Sequence, residues 1–408
     1  MGVSLVFFLC FGSTAIADES AVPRFAAKLH AGGESLKVVC FGDSVTGVYY
    51  HTGGRRAYTD MIAIALEQEN PGVAVQAINA GISGNTTVDA LARIENDVLA
   101  REPDLVTIMF GLNDVARLPI DDYRATLTTI IKKCREADAE VLLCTPNSVR
   151  DTDARSIAKL EQYVVVAREV AVAEHVPLVD CYRAFEDVRG RDALDWAFLM
   201  SDDIHPNMDG HKLIAEEIAG AILGRSTSLK VAGPIPLAIP HTIAQLNAGE
   251  SIHVTAMPPY DSFIATALRS IWPDGDVTVT SWPVAGESLA AIEARAKDIR
   301  GAKPDLVFIA VPADVDVEST EVFIERFSWV LNYSMSFGIA EWDCVAVAPS
   351  VANTGLHGEE REIDRWMRRL IRAQDLAAID INEENEQSVE AVLVEWVKHQ
   401  HALFQQRN

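Results

Sequence analysis

Short, continuously apolar runs recur along this chain, and each is followed by a longer stretch with helical periodicity. The runs are KVVCFG (37–42), VAVQAIN (73–79), DLVTIMF (104–110), EVLLCTP (140–146) and VPLVD (176–180). Amphipathic stretches lie between them near 56–69, 86–100, 121–136 and 154–174, with a last one near 209–223. A strand without polar alternation has to be covered on both faces. Strands separated one by one by helices pair in parallel. The pattern predicts an α/β fold, a doubly wound parallel sheet in a three-layer sandwich of the flavodoxin-like kind.

The pattern then starts again. AGGESLKVVCFGDS (31–44) aligns with NAGESIHVTAMPPY (247–260), and Pro-Asp-Leu-Val occurs at both 103–106 and 304–307. AEVLLCTPNSV (139–149) aligns with CVAVAPSV (344–351). Between the two series, GPIPLAIPHT (233–242) carries three prolines and reads as a boundary. The expectation is a duplicated domain, with a first copy over 18–228, a linker over 229–246 and a second copy over 247–408.

The formal net charge of −24 opposes nucleic-acid binding, which needs a basic face, and docking on anionic lipid. The opening MGVSLVFFLCFGSTAIADES has an apolar run followed by Ala15-Ile16-Ala17 at cleavage spacing. It is shorter than the ~20 apolar residues that span a bilayer. Residues 1–17 therefore read as a signal peptide, with a buried first strand or a short anchor as the rival; the signal implies a secreted or periplasmic protein with no stable membrane insertion after cleavage. Five cysteines lie beyond Cys10, with no C-x-x-C pair, so neither a disulfide framework nor a zinc site is expected. Nothing in the composition indicates an oligomeric state.

Four stretches carry chemistry, all placed after predicted strands at the carboxyl edge of the sheet, where open α/β sheets keep their sites. Gly42-Asp43-Ser44 ends the first strand; alone it would also suit a turn. SDDIHPN (201–207) sets Asp202 three residues before His205, so one tight turn can join the carboxylate to the imidazole; Asp203 is an adjacent alternative. NAGISGNTT (79–87) places Gly84 at a helix start, where a bare backbone N–H suits a developing oxyanion, or an ordinary turn capped by Thr86 or Thr87. FGLNDV (110–115) offers the Asn113 amide as a further donor, or a turn and cap. His211 is the only nearby histidine, and no second cluster of ligands accompanies it, so no metal is expected.

Together these blocks resemble the SGNH (GDSL-type) hydrolase superfamily, over about residues 36–224, with Val45 where the family motif has Leu. The resemblance implies a serine esterase that needs no cofactor. It casts Ser44 as nucleophile, His205 as general base and Asp202 as its orienting carboxylate. The oxyanion hole would be formed by the N–H groups of Ser44 and Gly84 and the Asn113 amide. In the second copy Tyr260 stands where Ser44 does, Ala313 or Asp314 replaces Asn113, and INEENEQ (381–387) supplies no Asp-x-x-His; only Gly286 matches Gly84. A catalytically inactive copy is expected, with Trp272, Trp282, Trp329 and Trp342 as aromatic surface if exposed.

The resemblance extends to esterases of O-acetylated carbohydrates, to lysophospholipases and to thioesterases; the lack of an obvious long apolar lid segment, the net charge and the loop after the nucleophile favour acetyl esters of carbohydrates. A loop rich in Tyr, His and Arg follows the nucleophile, and Tyr49, Tyr50, His51, Arg55 and Arg56 are candidates for holding a small-molecule or oligosaccharide ester. The rival from another class is a carbohydrate-binding or adhesion module that keeps the fold without turnover.

Overall fold

The computed structural model describes residues 20–47, 52, 54–336, 341–377, 379 and 387–407. The proposed signal segment, Tyr49, Tyr50, His51 and nearly all of 381–387 lie outside the described residues.

The first sheet contains β1 (Leu36–Gly42), β2 (Val75–Gly81), β3 (Leu105–Met109), β4 (Glu140–Cys144) and β5 (Leu178–Val179) in the order β2-β1-β3-β4-β5, all parallel. The α/β expectation holds. Strand β1 shows why its sequence is apolar without alternation. Val38 and Cys40 enter one core while Val39 and Phe41 enter the core on the opposite face. Burying side chains of this size stabilises by roughly 1.5–3 kcal/mol each. The strand order reverses between β1 and β3, so the loops after those strands open a crevice at the carboxyl edge.

Two glycines let the chain turn tightly there. A Cβ on Gly42 would stand 1.9 Å from Thr46 Oγ1 and 2.8 Å from the Met109 carbonyl. One on Gly81 would stand 2.3 Å from the Gly47 nitrogen. Only residues without side chains allow the Ser44 turn to fold back over the ends of β1 and β2.

The second sheet contains β6 (Ile252–Ala256), β7 (Val277–Ser281), β8 (Leu306–Ile309) and β9 (Asp343–Ala346) in the order β7-β6-β8-β9, again parallel. It repeats the order of the first four strands, and the likeness reaches single contacts. Asp104 Oδ2 accepts the Lys37 N–H at 2.9 Å, and Asp305 Oδ2 accepts the His253 N–H at 2.8 Å. Glu102 and Lys303, each just before Pro-Asp-Leu-Val, both adopt left-handed backbone at φ 53° and 46°.

The expected linker is loop only up to residue 239, because Pro240 opens the helix Pro240–Asn247, which packs against β6 and β9. Proline suits a first helical turn, whose N–H groups have no intrahelical partner. One apolar core runs through both halves. It joins Tyr58, Met61 and Ile218 of the first to Trp282, Phe323 and Trp342 of the second. Trp282 and Trp342 are thus core residues, whereas Trp272 and Trp329 are half-buried against His401 and Tyr333. Among the described residues no helix is long and apolar enough to cross a membrane.

Candidate active site

Ser44 lies in the turn directly after β1, half-buried, with its Oγ 2.7 Å from His205 Nε2. The turn is held from several sides. Asp43 is buried and its Oδ1 accepts the Val45 N–H at 3.0 Å. Thr46 Oγ1 lies 2.9 Å from the Tyr58 hydroxyl, and Asn79 Nδ2 donates to the Thr46 carbonyl at 2.7 Å. Arg93 reaches in from the helix Thr87–Asp97, lies over the Phe41 ring and donates to the carbonyls of Gly42 and Ala80. Arg93 and Asn79 went unnoticed in the sequence, since neither sits at a position that spacing alone would single out.

Asp202 and His205 meet as their spacing predicts. His205 Nδ1 lies 2.9 Å from Asp202 Oδ2. Asp202 Oδ1 also accepts the backbone N–H groups of Ile204 and His205, at 2.8 and 2.7 Å. The Ser201 N–H donates to the His205 carbonyl at 2.8 Å and closes the turn. With Nδ1 facing a carboxylate, Nε2 is the ring atom turned to Ser44. Asp203 takes no part in the pair; its carbonyl accepts the Arg150 N–H instead. Asn207 then caps the helix Met208–Leu223, fixing where the turn leaves the site. His211, one turn into that helix, is buried and accepts the Tyr58 N–H at Nδ1. Burial, with His205 nearby, lowers its pKa to about 3, which keeps it neutral.

Gly84 sits between β2 and the helix Thr87–Asp97 at φ 79°, backbone that favours glycine. Its carbonyl accepts Arg117 Nη1 at 2.6 Å. Thr86 and Asp89 form a capping box for the following helix, as the cap reading expects. Asn113 is buried; its Nδ2 donates to the Asn85 carbonyl at 3.1 Å and its Oδ1 accepts Arg155 Nη2 at 3.2 Å. Arg155 also donates to the Leu112 carbonyl at 2.7 Å. It is a third residue the sequence did not mark, lying in an irregular segment well after the motif it contacts.

Arg55 and Arg56 do not join this cluster. Arg56 forms an ion pair with buried Asp375 and donates to the Gly233 carbonyl, while Arg55 donates to the Asp375 carbonyl. They tie the loop after Ser44 to the second half of the chain. At the matching edge of the second sheet, a cavity of about 240 Å³ is lined by Pro259, Tyr260, Ala313, Asp314 and Pro349. Tyr260 begins a helix there, stacked on Phe308.

The family model described as GDSL-like lipase/acylhydrolase matches residues 40–213. An acetylxylan esterase of Geobacillus stearothermophilus is 31% identical over 45% of this chain and 92% of its own length. An arylesterase of Vibrio mimicus is 25% identical over 53% of this chain and 94% of its own. Among solved structures, Axe2, an acetylxylan esterase from Geobacillus stearothermophilus, aligns with a TM-score of 0.42 at 28% identity, covering 47% of this chain and 96% of that one.

Proposed function

The chain belongs to the GDSL-like lipase/acylhydrolase family and is a carboxylic ester hydrolase, and from that premise we propose that it removes short acyl groups, acetyl first, from carbohydrate through an acyl-Ser44 intermediate. The observation that carries this reading is the continuous chain Ser44 Oγ, His205 Nε2, His205 Nδ1, Asp202 Oδ2, with contacts of 2.7 and 2.9 Å.

Ser44 Oγ attacks the ester carbonyl carbon while His205 Nε2 takes the hydroxyl proton. Asp202 stays ionised and supports the imidazolium that forms. The carbonyl oxygen becomes an oxyanion facing the N–H groups of Ser44 and Gly84 and the Asn113 amide. Collapse breaks the ester C–O bond, and His205 passes its proton to the departing alcohol oxygen. Water then attacks the acyl carbon, with His205 again as base, and releases the acid and free Ser44.

One observation favours a small acyl group on a sugar: the relative named as an acetylxylan esterase is matched over 92% of its own length. The strand order and paired contacts of the second sheet support its reading as a duplicated copy, and the absence of a serine at Tyr260 supports its reading as an inactive one. Residues 1–17 keep their reading as an export signal within this proposal.

The test is acid release from acetylated xylo-oligosaccharide, a lysophospholipid and an aryl acetate, with wild type and Ser44→Ala side by side. Acetate from the oligosaccharide with wild type only is the expected result. Fatty acid from the lysophospholipid alone would overturn the substrate class, and an active Ser44→Ala would overturn the mechanism.

A further inference from the structure

The turn that carries Asp202 and His205 is held from both halves of the chain. From the first half, Asn147 Nδ2 donates to the Ile204 carbonyl at 3.0 Å and the Arg150 N–H donates to the Asp203 carbonyl at 2.8 Å. From the second half, Asn332 bonds Ser201 twice: its Nδ2 donates to the Ser201 carbonyl at 2.9 Å, and its Oδ1 accepts the Ser201 hydroxyl at 3.0 Å. Gln374 Nε2 donates to the same hydroxyl at 2.9 Å. Ser201, Asn332 and Gln374 are all buried, and Ser201 directly precedes Asp202.

We propose that Asn332 and Gln374 are positioning residues for the esterase reaction, so that the second half of the chain sets the register of the Asp202–His205 turn. The inference rests on the role proposed for those two residues above. Buried amides cost stability unless paired, and an apolar contact would join the halves as well. What the amides add is direction. The hydroxyl and carbonyl of Ser201 are each fixed by a partner, which leaves the backbone entering Asp202 one orientation. The imidazole has to meet Ser44 on one side and Asp202 on the other, and a shift of about 1 Å in such an array costs on the order of a hundred-fold in rate. Asn332 comes from the helix Thr320–Ser334, and Gln374 from the end of Glu359–Ala373. Asp375, next to Gln374, holds Arg56 in the loop after Ser44. One short segment of the second half therefore braces the chain on both sides of the site.

The experiment uses the full chain and an aryl acetate, with Asn332→Ala, Gln374→Ala and Ser44→Ala, each checked for folding by circular dichroism and melting temperature. Asn332→Ala is expected to lower kcat about ten- to a hundred-fold and Gln374→Ala by less, with KM changed less than about two-fold. The acid limb of the kcat/KM profile should move to lower pH, because an imidazole whose carboxylate has drifted is less basic. Asp202, Asp43 and His211, which interact with the ring, and Arg155, which acts on Asp43 and Asp202, are unchanged in these variants, so such a movement reports the turn. Should Asn332→Ala not fold, Gln374→Ala and Ser201→Ala, which removes only the hydroxyl, carry the same test. A folded set with wild-type kcat and pH profile, whatever its melting temperature, overturns the proposal. If Ser44→Ala is inactive in that case, the serine mechanism stands and this inference alone fails; if Ser44→Ala is active, the mechanism beneath it fails.

Discussion

Arg155 holds the oxygen end of the Asn113 amide, its Nη2 donating to Oδ1 at 3.2 Å. A side-chain amide has one acceptor and one donor end, so tying down the oxygen decides where the nitrogen points. That nitrogen is the end an oxyanion needs. Asn113→Ala is expected to lower kcat about 10²–10³-fold with little change in KM, the range seen when one such donor is removed. Arg155→Ala, which frees the amide without removing it, should fall between that variant and wild type. Steady-state kinetics on an aryl acetate checks both.

Asp202→Asn should lower kcat by about 10³–10⁴-fold while the fold stays intact. The amide keeps an acceptor for the Ile204 and His205 N–H groups, so the turn survives. What is lost is the negative charge opposite His205 Nδ1 and the tautomer it selects. Equal melting temperatures with collapsed kcat would match this expectation.

Burial pushes the Asp43 carboxyl up to about 6, against 3.8 for the free side chain. A pKa raised by folding makes a contribution that is fully present below the unfolded value, near pH 4, and lost as pH rises through the folded one. The wild type therefore becomes less stable, as far as this group is concerned, between about pH 4 and 7. Asp43→Asn retains the acceptor for the Val45 N–H and has no charge to bury. It should be more stable than wild type above pH 6 by up to about 3 kcal/mol, the gain vanishing near pH 4. Urea melts across that range measure it.

Arg56→Ala should destabilise by about 3–5 kcal/mol, because it strands the buried Asp375 carboxylate. The double variant Arg56→Ala, Asp375→Asn should recover part of that loss. A double-mutant cycle read by urea denaturation separates the ion pair from the loss of the arginine stem.

The elements were largely legible in the sequence, because their signals are local. The expected helix near 121–136 appears as Ile120–Glu136 and the one near 209–223 as Met208–Leu223. Misses came where local signals conflict. Pro240 reads as part of a boundary yet opens a helix, and the helices Pro23–Ala31 and Cys181–Arg191, the latter following its strand with no gap to mark it, are not among the expected stretches. The two arginines after Ser44 had the chemistry of a substrate grip, but the structure gives them to Asp375 and its neighbourhood.

By itself the sequence determined the strand–helix alternation, the tight glycines and the Asp202–His205 spacing, since each depends on residues a few positions apart. Tertiary structure alone decided that Ser44 meets a histidine 161 positions away, that Arg155 aligns Asn113, and that Asn332 and Gln374 grip Ser201. Periodicity and turn chemistry act along the chain and leave a pattern in it. A single buried hydrogen bond between distant side chains leaves none, because its partners are chosen by where the sheets and helices carry them.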